Sequence, residues 1–345
     1  MKTPRQPIRS PLGAVRALPI RLRRTLAVPT LPGTEEPLLE PRPEIIEAPG
    51  LRWINIEMPR LADRLWLSEN FTFHELDLED VASHNQRPKL DAYPDYVFLV
   101  MQFPSYEKAT SRLAEAELDV FMGPDFVITL PNEPIAALRA LFERAQARGD
   151  VREEIMGNGS GRLLYEILDR CVDASFPMLG ALGRKLRHIE NDIFEGRSHE
   201  IVRVISNAKQ EIINFRATIR PQRAVFRALE RAKQRYLPAE LDIYFDDLTD
   251  ASERIWDVLE NFKEIIEGLE SSNESVLSHH LNDVLRILTA VTVILLPLTL
   301  ITGFFGMNVD FPGDEHSPGF FWALVVAMAA LLAALVVFFR RRGWL

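Results

Sequence analysis

The sequence predicts an α+β soluble domain, then a bundle of long helices, then two transmembrane helices at the C-terminus. Three observations lead there. Short runs rich in β-branched and aromatic residues are interspersed with amphipathic segments up to about residue 160. Helical patterning then continues over 161–305 with few breaks. Two stretches without a charged residue, 287–305 and 320–339, close the chain with a connection too short to hold a domain.

Residues 1–49 read as a basic, proline-rich extension. Lys2, Arg5, Arg9, Arg16, Arg21, Arg23 and Arg24 all precede the first acid, Glu35. This composition predicts disorder, and the arginines interrupt the apolar run that a secretory signal requires. It suggests no role beyond a loose contact with anionic lipid headgroups.

Residues 50–160 read as the α/β domain. Strand character marks 51–56, 96–103, 116–121 and 126–130, and helical periodicity marks 61–67, 76–83 and 135–147. Long helices do not alternate with parallel strands, which argues against a dinucleotide-binding fold. The cluster Gly157, Gly159, Gly161 follows no strand and lacks a phosphate-loop lysine, so it reads as a linker. No serine-elbow, zinc-protease or nucleotide fingerprint occurs, and no enzyme activity is expected. A net charge of −9 argues against a nucleic-acid partner. Cys171 is the single cysteine, which rules out an intramolecular disulfide and a cysteine zinc cluster; it is expected to be a small buried apolar residue.

Residues 161–286 form the predicted helical bundle and stalk, with breaks near Gly196 and Pro238 and a kink at Pro221. Basic residues dominate 197–235, whereas 242–274 holds eleven acids against Arg254 and Lys263. The basic helix is expected to face its acidic neighbour. Leu248, Ile255, Phe262, Leu269 and Val276 recur every seven residues beside Leu259 and Ile266, the pattern of a packing seam. Unbroken from Pro238 to Phe305, this helix would be on the order of 100 Å long, a stalk that suggests assembly around an axis.

Span 287–305 would cross roughly 28 Å and span 320–339 about 30 Å, both near the hydrocarbon thickness of a bilayer. Arg286 precedes the first span and Arg340, Arg341 and Arg342 open the tail 340–345, while Asp310, Asp314 and Glu315 sit in the loop 306–319. Positive-inside logic places both termini in the cytoplasm. Spacings of three and four carry Asn282, Leu285, Leu288, Thr292, Leu296, Thr299, Gly303 and Gly306 along one face of the first span. That face suits helix packing and also suits a pore, where hydroxyls and backbone carbonyls accept hydrogen bonds from a hydrated ion and leucine rings close the path. Spacing alone does not choose between them.

Directly after the first span comes Gly306-Met307-Asn308, preceded by Asn282-Asp283-Val284, Pro297-Leu298-Thr299 and Thr302-Gly303, and followed by a second span ending in a basic cluster with Gly343-Trp344-Leu345. This order resembles the C-terminal hairpin of the CorA superfamily of divalent-cation transporters with its GMN signature. Leu78-Glu79-Asp80-Val81, Gln86-Arg87-Pro88-Lys89-Leu90 and the stretch from Tyr93 to Val100 resemble that family's cytoplasmic domain.

The resemblance implies a funnel-shaped homopentamer in the plasma (inner) membrane, with the stalk continuing into the pore and no cofactor beyond transported or regulatory cations, Mg²⁺ first and Co²⁺, Ni²⁺ or Zn²⁺ next. It places Gly306, Met307 and Asn308 at the external mouth, with Asn308 oxygens holding the hydrated ion. Asn282, Leu285, Leu288, Thr292, Leu296, Thr299 and Gly303 would line the pore. Glu79 and Asp80, facing Asp247 of a neighbour, would bind an inhibitory cytosolic cation.

Phe305 stands where the family commonly has tyrosine, and Ser271 replaces an acid often found on the stalk. Val309-Asp310-Phe311-Pro312-Gly313 looks closer to the zinc-transporting ZntB branch. Zn²⁺ transport, proton-coupled or not, is therefore the alternative within transport. A membrane-anchored coiled-coil scaffold is the alternative outside it.

Overall fold

The computed structural model describes residues 40–83, 87–107, 112–195, 198–236, 241–307 and 318–344. Asn308, Gln86, the loop acids Asp310, Asp314 and Glu315 and residues 1–39 of the extension lie outside them.

Six strands form one mixed sheet in the order β1-β2-β6-β5-β4-β3, with β1 Glu44–Ala48, β2 Leu51–Asn55, β3 Lys89–Ala92, β4 Val97–Glu107, β5 Arg112–Met122 and β6 Phe126–Pro131. Only β2 and β6 run parallel. Side-chain alternation splits the sheet into two cores. Trp53, Leu99, Met101, Leu118, Val120 and Val127 face one layer of helices, and Ile54, Phe98, Val100, Phe121 and Ile128 face the other. Both faces of β6 are covered, so all six of its residues are buried and it reads as an unbroken apolar run. Trp53 Nε1 donates to Thr129 Oγ1 at 3.1 Å, which in turn donates to Asn55 Oδ1 at 2.8 Å, satisfying polar atoms between the two parallel strands.

The second layer is short: α1 Leu61–Asn70 and α2 Glu75–Asp80. His74 caps α2 by accepting from the Leu76 amide. Buried Asp77 accepts from Tyr93 (3.0 Å) and Tyr96 (2.8 Å), tying α2 to the strand ends.

The first layer begins with α3 Ala136–Ala147, α4 Gly149–Met156, α5 Ser160–Asp173 and α6 Ser175–Phe194, and continues with α7 Ser198–Tyr236 and α8 Asp242–Phe305. Pro221 lies inside α7 without ending it. The expected seam is present: Leu248, Ile255, Leu259, Ile266 and Leu269 are buried, with Phe262 and Val276 packed against them. Where α6 meets α8, the Gly183 α-carbon faces the Phe262 ring so closely that an added Cβ would stand 3.1 Å from it.

The opposite charges of α7 and α8 meet as expected. Arg216 pairs with Glu260 (2.5 Å), Arg223 and Arg227 with Glu253 (2.8 and 3.0 Å), and Lys209 with Glu270 (2.6 Å). Arg216 and Arg223 also stack on Trp256. Such partly exposed pairs contribute roughly 0–1 kcal/mol each, so the apolar seam carries most of the packing.

With 64 residues, α8 extends about 96 Å. It passes from the seam into the first apolar span without a break, so position 287 marks a change of surroundings and not the start of an element. The second span is α9 Pro318–Arg341. The extension drawn to residue 49 is corrected by β1, which pairs with β2 along its whole length.

Candidate pore helix and cytoplasmic carboxylates

Each residue advances a helix by about 100°, so the contacts of two or three side chains orient the rest of α8. Ala290 and Ile294 are buried against Phe339, with Leu335, Val336 and Trp344 around them. Gly343, at φ 67°, turns the chain so that the Trp344 amide donates to the Phe339 carbonyl at 3.0 Å, which sets the indole against this contact. This side of α8 faces α9.

Leu285, Leu288, Thr292, Leu296, Thr299 and Gly303 fall on the opposite side, and Asn282, about 100° from the middle of that contact, lies on the flank. Leu285, Leu288 and Leu296 are 57%, 60% and 62% exposed in the single chain. Leu296, Thr299, Leu300, Gly303, Phe304 and Met307 line a shallow apolar groove there. Thr292 and Thr299 donate to the carbonyls of Leu288 (2.8 Å) and Leu295 (3.0 Å). Their protons are thereby committed to the backbone, and each hydroxyl oxygen turns lone pairs outward as an acceptor for a water or a hydrated cation. Gly306 follows the last turn with its amide on the Thr302 carbonyl at 2.9 Å, and exposed Met307 continues the face.

The three carboxylates singled out in the sequence lie on two sides of the sheet. Glu79 and Asp80 end α2 in the second layer, while Asp247 is on α8 in the first. Glu79 and Asp247 are exposed. Asp80 is held by Lys89 Nζ at 2.6 Å, and the same ammonium takes Asp91 at 2.7 Å. One chain therefore does not bring the three acids together, and no group of three metal-ligating side chains occurs among the described residues.

Asp169 on α5 was not singled out by the sequence. Burial first, then the charges of Asp173, Glu166 and Asp247 against that of Arg170, push its carboxyl up to about 6. Nothing in the linear pattern marks it, because Asp169 and Asp247 are brought near each other only by the packing of α5 on α8. His279 and His280, adjacent on α8, are both exposed.

The family model for the CorA-like Mg²⁺ transporter protein matches residues 49–341. The chain belongs to the CorA family. This CorA-family chain is 31% identical to YfjQ of Bacillus subtilis over 90% of its length and 96% of that relative. It is 28% identical to the cobalt/magnesium transport protein CorA of Thermotoga maritima, covering 85% and 83% of the two chains. The zinc transport protein ZntB of Yersinia pseudotuberculosis matches at 22% identity over 85% and 88%. In fold, it superposes on the CorA magnesium transporter of Methanocaldococcus jannaschii with a TM-score of 0.75 at 22% identity, over 86% of this chain and 92% of that one.

Proposed function

We propose that this chain is one subunit of a homopentameric channel that moves Mg²⁺, and with it Co²⁺ and Ni²⁺, across the plasma (inner) membrane, with both termini in the cytoplasm. The observation that carries this reading is the uncovered face of α8, opposite the side that packs on α9. A single helix encloses no path, so a pore built on Asn282, Leu285, Leu288, Thr292, Leu296, Thr299 and Gly303 needs several copies of α8 around an axis. A mere anchor requires no such face, which counts against the scaffold.

Mg²⁺ gives up its water shell reluctantly, so acceptors for the hydrated ion suit it better than a dry cage. The outward lone pairs of Thr292 and Thr299 supply such acceptors. Asn308 would add a ring of neutral amide oxygens at the outer mouth, binding the ion without trapping it. Leu288 and Leu296 stand two turns apart, roughly 12 Å, and would close the pore by shedding water between them.

Closure is controlled from the cytoplasm in this reading. Glu79 and Asp80 of one subunit would meet Asp247 of the next, with Asp169 beside it, and a bound divalent cation would bridge them. Empty, these acids repel and loosen the closed ring; occupied, they hold it, so cation occupancy shifts the population toward closed.

The ZntB match and the sequence after Asn308 favour a second reading, Zn²⁺ transport coupled to protons. Uptake into proteoliposomes of Mg²⁺, Co²⁺, Ni²⁺ and Zn²⁺, each with and without a pH gradient, decides between them. Mg²⁺ uptake indifferent to the gradient is expected; Zn²⁺ uptake that requires the gradient, without Mg²⁺ uptake, would replace the first reading by the second.

A further inference from the structure

Asp119 occupies the middle of the sheet and plays no part in the pore or in the cation contacts described above. It lies on β5 in a cross-strand row with Val100 of β4 and Leu130 of β6, and Lys89 of β3 follows beyond Val100. Alternation along β5 places it on the same face as Phe121, beneath the layer that contains α2. Its side chain is 0% exposed. Among the described residues, no group donates a hydrogen bond to either carboxylate oxygen.

The charges facing it make ionisation worse. Glu117 on its own strand and Asp80 on α2 are both acids that raise its proton affinity. From β3 the facing charge is Lys89, which favours ionisation, but that ammonium is already held by Asp80 at 2.6 Å and Asp91 at 2.7 Å. The row neighbours from β4 and β6, Val100 and Leu130, are apolar. An ionised carboxylate with neither a donor nor a free counter-ion is prohibitively costly in such a place, and the group keeps its proton instead.

We propose that Asp119 is a buried proton-binding site beneath α2, neutral while that layer is docked on the sheet and ionised only when the layer opens. The direction of its shift agrees: the carboxyl titrates well above its usual 3.8, with burial the first cause and Glu117 the second. The sign of the linkage follows. The folded group has the raised value, so docking takes up a proton, and its contribution to stability is full below about pH 4 and is lost as pH rises toward the folded value. Between those limits the opening equilibrium grows about tenfold per pH unit. Because α2 ends in Glu79 and Asp80, cytosolic alkalinity would loosen the element that carries them; the proton site itself does not depend on what those two acids bind.

The test uses the full chain in lipid nanodiscs. Infrared spectra of wild type and Asp119→Asn are compared in the region of the protonated-carboxyl carbonyl stretch as pH is raised from about 5, already above the ordinary aspartate value. Wild type is expected to show a band there that the variant lacks, and identical spectra would overturn the proposal. Should Asp119→Asn fail to fold, hydrogen exchange on wild type alone decides. Protection of the α2 amides, corrected for intrinsic exchange, is expected to fall as pH rises above about 4 toward the value at which the folded group titrates, and a profile flat from about pH 4 upward would overturn the proposal.

Discussion

Leu296→Asn is expected to produce a channel that conducts while cytosolic Mg²⁺ is high enough to shut the wild type. Leu296 is 62% exposed on the side of α8 away from α9, and in the assembled pore five such side chains would meet at the axis. A leucine ring blocks an ion by excluding water; an amide at the same place keeps the constriction wet. Removing that barrier should raise the residual flux of the closed state by at least roughly tenfold, equivalent to about 1.4 kcal/mol. Leu288→Asn should act in the same direction. Val326→Asn on α9 provides the control, because Val326 is 65% exposed on the second span and outside the proposed path. The check is Mg²⁺ flux in proteoliposomes loaded with a dye and held at inhibitory Mg²⁺ on the cytoplasmic side. Full block in both leucine variants would remove these residues from the gate.

Neutralising the acids proposed to bind the inhibitory cation is expected to have the opposite origin and a comparable result. Glu79→Ala, Asp80→Ala and Asp247→Ala should each raise the Mg²⁺ concentration that half-inhibits flux, by roughly tenfold, about 1.4 kcal/mol of lost cation binding. Lys89→Gln should lower it, because the ammonium now held by Asp80 at 2.6 Å would no longer compete with the cation. Proton competition gives a further handle. Asp169, with its carboxyl pushed up to about 6, lies beside Asp247. It is charged and available above that pH and takes a proton below it, so divalent inhibition should weaken as the cytoplasmic side is acidified through pH 6. The readout is an inhibition curve at pH 7.5 and at pH 5.5 for wild type and each variant. Unchanged half-inhibiting concentrations throughout would mean that these acids do not bind the inhibitory cation.

Periodicity revealed the long elements because burial there is one-sided and repeats over many turns. The seam from Leu248 to Leu269 and the two apolar spans are of this kind, and α8 and α9 follow them closely. The charge contrast between 197–235 and 242–274 likewise became the ion pairs of Glu253, Glu260 and Glu270. Short edge strands carry no comparable signal. β3 is four residues with Lys89 and Asp91 among them, and β1 sets two adjacent isoleucines between glutamates beside prolines, so neither stands out before its partner strand is known.

The functional face divides in the same way. The stripe from Asn282 to Gly303 could be traced by counting along one helix, although its orientation away from α9 required the contacts of Ala290 and Ile294. Asp169 and Asp119 could not be reached by counting. Asp169 matters through its approach to a residue on another helix, and Asp119 through the absence of a donor among the described residues in a core that only the assembled layers enclose.

Mg²⁺ uptake by wild type and Asn308→Ala, reconstituted side by side without a pH gradient, distinguishes a conducting Mg²⁺ pore from a passive membrane anchor. Wild-type uptake down the Mg²⁺ gradient is expected, with its loss by at least about 100-fold or roughly 2.7 kcal/mol when the side-chain amides proposed to ring the outer mouth are removed. Equal uptake by the two proteins, or no divalent uptake by wild type, would contradict the pore reading.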